Sequence, residues 1–161
     1  SVPDQEINRR LIQSSINTNA HESDSIRESN ASGRIRVFVS HSSRDRSYVE
    51  REVVLFLNRN GIETWYSVDD IEIASDWEER IQAGLKTCNW FLLVMSKNSA
   101  NSPWVKNEVR WALHHMPGRV VPLMIDEVNP ADFSLILQII QHIDFRIGRS
   151  ARDRLLKLWK P

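Results

Sequence analysis

Trp104, Glu108 and Trp111 recur at i, i+4 and i+7, so any helix through that stretch carries all three on one stripe. A carboxylate between two indoles is an odd thing to leave on a solvated surface. Such an acid can bind hydroxyl groups and stabilise developing positive charge, and an indole offers stacking area to a planar ring. A second polar group, His41, Ser42, Ser43 and Arg44, follows a separate apolar run. Its hydroxyls and imidazole can line a polar site, and Arg44 or Arg46 can hold a pyrophosphate by paired hydrogen bonds.

Both groups need elements to hold them. Trp90 to Met95 is a compact apolar run closed by Ser96, the pattern of a strand buried on both faces. A polar turn, Lys97 to Ser102, follows. Ser102-Pro103 then opens a helix, serine capping and proline at the first position, where its missing N–H costs nothing. On it Val105, Val109, Ala112 and Leu113 face a core. Upstream, Ile35 to Val39 reads as a strand and 45–59 as a helix with Val49, Val53, Phe56 and Leu57 on one face, stopped by Asn60-Gly61. Ile62 to Tyr66 is a second strand. Ser75 and Glu78 form a capping box for a helix with Trp77, Ile81 and Leu85 inward, and Glu78 and Glu79 suit its first turn. Val120 to Ile125 is a fourth strand, Asn129-Pro130 opens a helix through Leu135, Leu137 and Ile140, Ile143 to Phe145 is a short fifth strand, and Arg152 to Trp159 a last helix.

Strand and helix alternate throughout, which predicts right-handed crossovers and an α/β, flavodoxin-like three-layer fold: a five-stranded parallel sheet of order 2-1-3-4-5 with helices on both faces. Ligands in such folds bind beyond the strands' carboxyl ends where winding reverses. Here that crevice lies between His41–Arg46 and Lys97–Trp104.

The 161 residues, 41% of them apolar, provide for one domain. From Gln13 to Gly33 there are six serines and three asparagines and hardly an apolar residue. We therefore read 1–33 as a mostly disordered linker or upstream tail, with an Ile7–Ile16 stripe, and 34–159 as the domain. Net charge is zero, so no basic field argues for nucleic acid or an anionic membrane. No apolar run approaches the roughly 20 residues that span a bilayer. Cys88 is the single cysteine, which rules out an intrachain disulfide. Opening on Ser1 without a secretory pattern, the sequence reads as a segment of a longer protein. The basic run through Arg149, Arg152, Arg154, Lys157 and Lys160 reads as a solvated face.

Several chemistries are absent by motif. Neither G-x-G-x-x-G nor G-x-x-x-x-G-K-[ST] occurs, nor G-x-S-x-G. Val39-Ser40-His41 replaces the clustered carboxylates of a phospho-receiver. His114 and His115 are adjacent and diverge on a helix, so no metal site is expected. Ordinary glycoside hydrolysis needs a second carboxylate. One is enough when the leaving group departs without a proton, as nicotinamide does from a pyridinium nucleoside, and Glu108 could then ease the charge left on the ribose.

Residues 34 to about 158 resemble a Toll/interleukin-1 receptor (TIR) domain of the NAD-cleaving type. The match rests on Arg36-Val-Phe-Val-Ser-His41 with Ser43-Arg-Asp45, on Gly61-Ile-Glu-Thr-Trp-Tyr66 with the Asp69–Ser75 loop, and on Ser96-Lys-Asn-Ser99 with Ser102-Pro-Trp104 through Glu108. NAD-cleaving members carry W-x-x-x-E, here Trp104-Val-Lys-Asn-Glu108, with the glutamate essential. The resemblance implies a NAD+ glycohydrolase active in immune or cell-death signalling in the cytoplasm. Glu108 is then catalytic, Trp104, His41, Ser42, Ser43, Arg44 and Trp65 bind substrate, and NAD+ is substrate rather than cofactor. It further implies a homo-oligomer in which the loop Ser67, Val68, Asp69, Asp70, Ile71, Glu72, Ile73 and Ala74 of one copy closes the pocket of the next, driven by a fused sensor or oligomerisation module. Two departures bear on ring stacking: Asp126-Glu127-Val128-Asn129 lacks the aromatic some enzymatic relatives place after the fourth strand, and His41 stands where relatives place an aromatic. The competing readings are a TIR–TIR adaptor without turnover and a sensor that binds NAD-like ligands intact.

Overall fold

The computed structural model describes residues 33–66 and 74–159. The expected linker and its Ile7–Ile16 stripe, and 67–73 of the expected assembly loop, lie outside the described residues, as do the side chains of Trp77, Glu78 and Ile81. Ile35–Pro161 forms one compact unit.

Strand β1 (Arg36–Ser40) leads through a 3-10 turn, Ser43–Asp45, into α1, which runs Arg46–Tyr48, a π-helical Val49–Val54 and Leu55–Arg59. The buried Val49, Val53 and Leu57 recur one turn apart, giving α1 its inward stripe. Its end is a Schellman motif: Gly61 N–H donates to Asn58 O at 3.1 Å and Ile62 N–H to Leu57 O at 3.0 Å, with Gly61 at φ 77°. β2 (Glu63–Trp65), α2 (Ala74–Thr87), β3 (Trp90–Met95), the single turn α3 (Lys97–Ala100), α4 (Pro103–His115), β4 (Val120–Met124), β5 (Ile143–Asp144) and α5 (Arg149–Trp159) follow. All pairings are parallel, and the order is β2-β1-β3-β4-β5.

Alternation along the strands sorts side chains into two cores. Val37, Val39, Leu92 and Val94 pack under α1 and α5, with Leu57, Leu155 and Trp159. Phe38, Phe91, Leu93 and Met95 pack under α2 and α4, with Leu85, Val105, Val109 and Ala112. Phe38 and Phe91 are register partners stacked at 5.6 Å. Gly84 lets α2 lie close to the sheet, since a Cβ there would stand 3.0 Å from the Trp65 ring.

Three local expectations differ. The Asn129-Pro130 segment is not one helix but two 3-10 stretches, Pro130–Asp132 and Leu135–Gln138, because Ser134 between them is extended (φ −168°, ψ 143°). Ser75, expected as a cap, lies within the helix Ala74–Thr87, and the last helix starts at Arg149, after Gly148 at φ 78°. The polar turn expected from Lys97 takes helical form over Lys97–Ala100: Ser96 Oγ accepts from Ser99 N–H at 2.9 Å while Ser99 Oγ accepts from Ser96 N–H at 2.8 Å. A serine fills the place where the usual capping box has Glu or Gln.

Cys88, the residue after α2, is buried, and burial pushes its thiol up to about 12. Thiolate is the reactive species. The native protein is therefore expected to resist a disulfide reagent near pH 8 for as long as urea-unfolded protein takes to react fully, as colour release would show.

Candidate active site

The strand alternation that buries Phe38 under α4 sends Ser40, two residues on, toward the same helix. There Ser40 Oγ donates to Glu108 Oε2 at 2.6 Å. Both partners are buried, Ser40 fully and Glu108 to 4% exposure. Glu108 sits on the inward stripe of α4 with Val105, Val109 and Ala112. The carboxylate is thus turned neither to bulk water nor away from the sheet. Ser102 fixes where α4 begins, its Oγ accepting from Val105 N–H at 3.3 Å.

The crevice expected at the switch point is present as a cavity of about 330 Å³, lined by Ser42, Ser43 and Arg44 on one side and Asn98, Asn101, Ser102 and Trp104 on the other. Trp104, 38% exposed, is part of that lining. The site thereby brings Ser42, Ser43, Arg44 and Trp104 together. Glu108, one turn along α4 from Trp104, is tied to Ser40, two residues ahead of Ser42, so acid and cavity hang on the same two elements.

The other candidate residues sit elsewhere. His41 is buried, its Nδ1 3.3 Å from Val39 O and its ring edge-on to Tyr66 at 5.6 Å. Trp65 packs against Gly84 on the α2 side of the sheet. Trp111 stacks on His115 at 4.3 Å, so the second indole of the sequence stripe serves the far end of α4. Of the assembly loop, only Ala74 is described, as the first residue of α2. A larger cavity of about 510 Å³ has Lys97, Lys106, Glu127 and Asp132 in its lining.

Sequence reasoning missed Ser40, although alternation from the apolar Phe38 was the available signal. It also missed a polar network joining the two walls. Asp45 accepts from Ser96 Oγ and, at 2.8 Å, from Asn98 Nδ2. Ser99 Oγ, fully buried, donates to Val94 O at 2.8 Å.

Comparison with known proteins agrees with this architecture. A family model described as TIR domain matches residues 37–158. A protein of Methanobrevibacter olleyae named a probable 2' cyclic ADP-D-ribose synthase, TcpO, is 33% identical over 72 residues, 45% of this chain and 21% of that one. The NAD(+) hydrolase TcpC of Escherichia coli O6:H1 is 31% identical over 72 residues, 45% of this chain and 24% of that one. The chain thus spans under a quarter of the length of these relatives. Among solved structures, the TIR domain of the Toll-related receptor TRR-2 of Hydra magnipapillata superposes with a TM-score of 0.63 at 20% identity, covering 76% of this chain and 94% of that one.

Proposed function

The chain belongs to the TIR domain family, and from that premise we propose that it cleaves the nicotinamide–ribose bond of NAD+, with copies assembling before turnover begins. The observation that carries the reading is the buried Glu108 carboxylate, held by Ser40 at 2.6 Å, one helical turn along from Trp104 of the cavity lining. In the reaction the bond between ribose C1' and the nicotinamide nitrogen breaks, and its electron pair leaves with nicotinamide as a neutral base. The positive charge passes to the ribose, where Glu108 stabilises it and binds its hydroxyls. Water then attacks C1' and releases a proton, giving ADP-ribose; capture by a nucleophile of the same molecule gives a cyclic isomer. Because the base leaves neutral, no general acid, metal or resident cofactor is needed. Trp104 supplies ring stacking and Arg44 a partner for the pyrophosphate. The names of TcpO and TcpC support this substrate. Signalling in the cytoplasm through a fused sensor or oligomerisation module belongs to the same proposal.

A second reading, a non-catalytic TIR–TIR adaptor, is favoured by one feature. Leu135, Ile136 and Ile139 stand 76%, 51% and 85% exposed in one short segment, an apolar patch of the kind partners cover. Chromatography of NAD+ incubated with concentrated or artificially clustered protein separates the two. Nicotinamide should appear with wild type and be lost in Glu108→Ala, while assembly, followed by light scattering, is kept. Clustered wild type that leaves NAD+ intact overturns the cleavage reading.

A further inference from the structure

The cavity walls are two connections, one after β1 and one after β3, and connections of this kind hold their spacing only if something ties them. Asp45 does so. It lies in the 3-10 turn that continues from Ser42, Ser43 and Arg44, and both its carboxylate oxygens cross the gap: Oδ2 to Ser96 Oγ and Oδ1 to Asn98 Nδ2 at 2.8 Å. Its backbone N–H donates to Ser42 O at 2.9 Å, so the carboxylate is fixed to the serine wall. The far ends are equally anchored. Ser96 and Ser99 are fully buried and cap α3 reciprocally, and Asn98 itself lines the cavity with Asn101, Ser102 and Trp104. One charged group thus accepts hydrogen bonds from the strand end and from the lining of the opposite wall, and such charge-assisted bonds are the strong ones.

We propose that Asp45 is a positioning residue that sets the width of the substrate cavity, holding the Ser42–Arg44 wall at a fixed distance from the Asn98–Trp104 wall. This rests on the reading that the cavity receives NAD+. Asp45 itself touches neither the ribose nor the bond that breaks; it acts through Asn98 and Ser42. Its loss therefore weakens the hold on the nucleotide more than it slows bond cleavage, which is the task of Glu108.

The test uses the full chain with Asp45→Ala and Asp45→Asn, read by NAD+ kinetics and by amide hydrogen exchange of the 97–104 segment. In Asp45→Ala, KM should rise about tenfold with kcat changed no more than about threefold, the signature of lost ground-state binding. Exchange in 97–104 should quicken by about tenfold as the wall comes loose. Asp45→Asn should restore both to within about threefold of wild type, because its amide oxygen still accepts from Asn98 and its nitrogen can donate to Ser96. Unmoved exchange in Asp45→Ala overturns the tie, and quickened exchange with unmoved KM overturns its role in holding substrate. A fall in kcat alone, or an Asn variant no better than Ala, also overturns the proposal. Wild type that never cleaves NAD+ sinks the proposed function before any variant is made, and the exchange readout still judges the tie.

Discussion

Glu108→Gln is expected to lower kcat for nicotinamide release about 10²–10³-fold while leaving KM for NAD+ nearly unchanged. The amide is the same size as the acid, and its oxygen can accept from Ser40 Oγ as Oε2 does at 2.6 Å. Position and packing on the α4 stripe are therefore preserved. What disappears is the negative charge near the ribose as the base departs, a loss of roughly 3–4 kcal/mol of transition-state stabilisation. The neutral side chain carries no ion-desolvation cost in a site only 4% exposed, so resistance to urea should be at least that of wild type. Glu108→Ala is the poorer variant for this purpose, because it opens a void and strips the fully buried Ser40 hydroxyl of this acceptor. Stopped assays of nicotinamide at several NAD+ concentrations, with a urea melt alongside, give both readings. Retention of more than about a tenth of wild-type kcat in the Gln variant would show that the charge is not the agent and would end the proposed mechanism.

The separation of readable from unreadable features follows the range of the forces involved. Buried strands and the two-sided core were legible because hydrophobic periodicity is local: 91–95 could bury every residue only in the middle of a sheet, and there β3 lies. Ser102-Pro103 announced α4 by cap chemistry alone, and the order of the sheet gave the crevice between the first and third strands. Contacts across the chain were not legible. The Ser40–Glu108 bond joins residues 68 apart and the Asp45–Asn98 bond residues 53 apart, and nothing in either neighbourhood states the pairing. The indole–acid–indole stripe also misled in part. Helical spacing fixes which residues share a face, but tertiary packing decides that Glu108 goes inward while Trp111 joins His115. The segment after β4 reads apolar enough for a helix, yet the extended Ser134 breaks it and strands Leu135, Ile136 and Ile139 on the surface.

The core beneath the site should be as sensitive as the acid, by a different route. Phe91→Ala is expected to cost about 3–5 kcal/mol of folding stability, a large share of the roughly 5–15 kcal/mol that holds a typical domain together. Phe91 is fully buried and stacks on its register partner Phe38 with rings 5.6 Å apart and 5° from parallel. Truncation removes the transfer free energy of a whole ring and leaves a void that β1 and β3, locked by parallel pairing on both sides, cannot close. The damage reaches the chemistry because Phe38 lies two residues before Ser40 on the same face of β1. A displaced Phe38 shifts the hydroxyl that holds Glu108. Ile139→Ala serves as the matched control: the residue is apolar but 85% exposed, and a change of under about 0.5 kcal/mol is expected. Urea unfolding followed by tryptophan fluorescence compares the two midpoints. Equal costs for Phe91 and Ile139 would mean that the stacked pair is not the keystone of the face carrying Glu108, and that the acid owes its position to α4 alone.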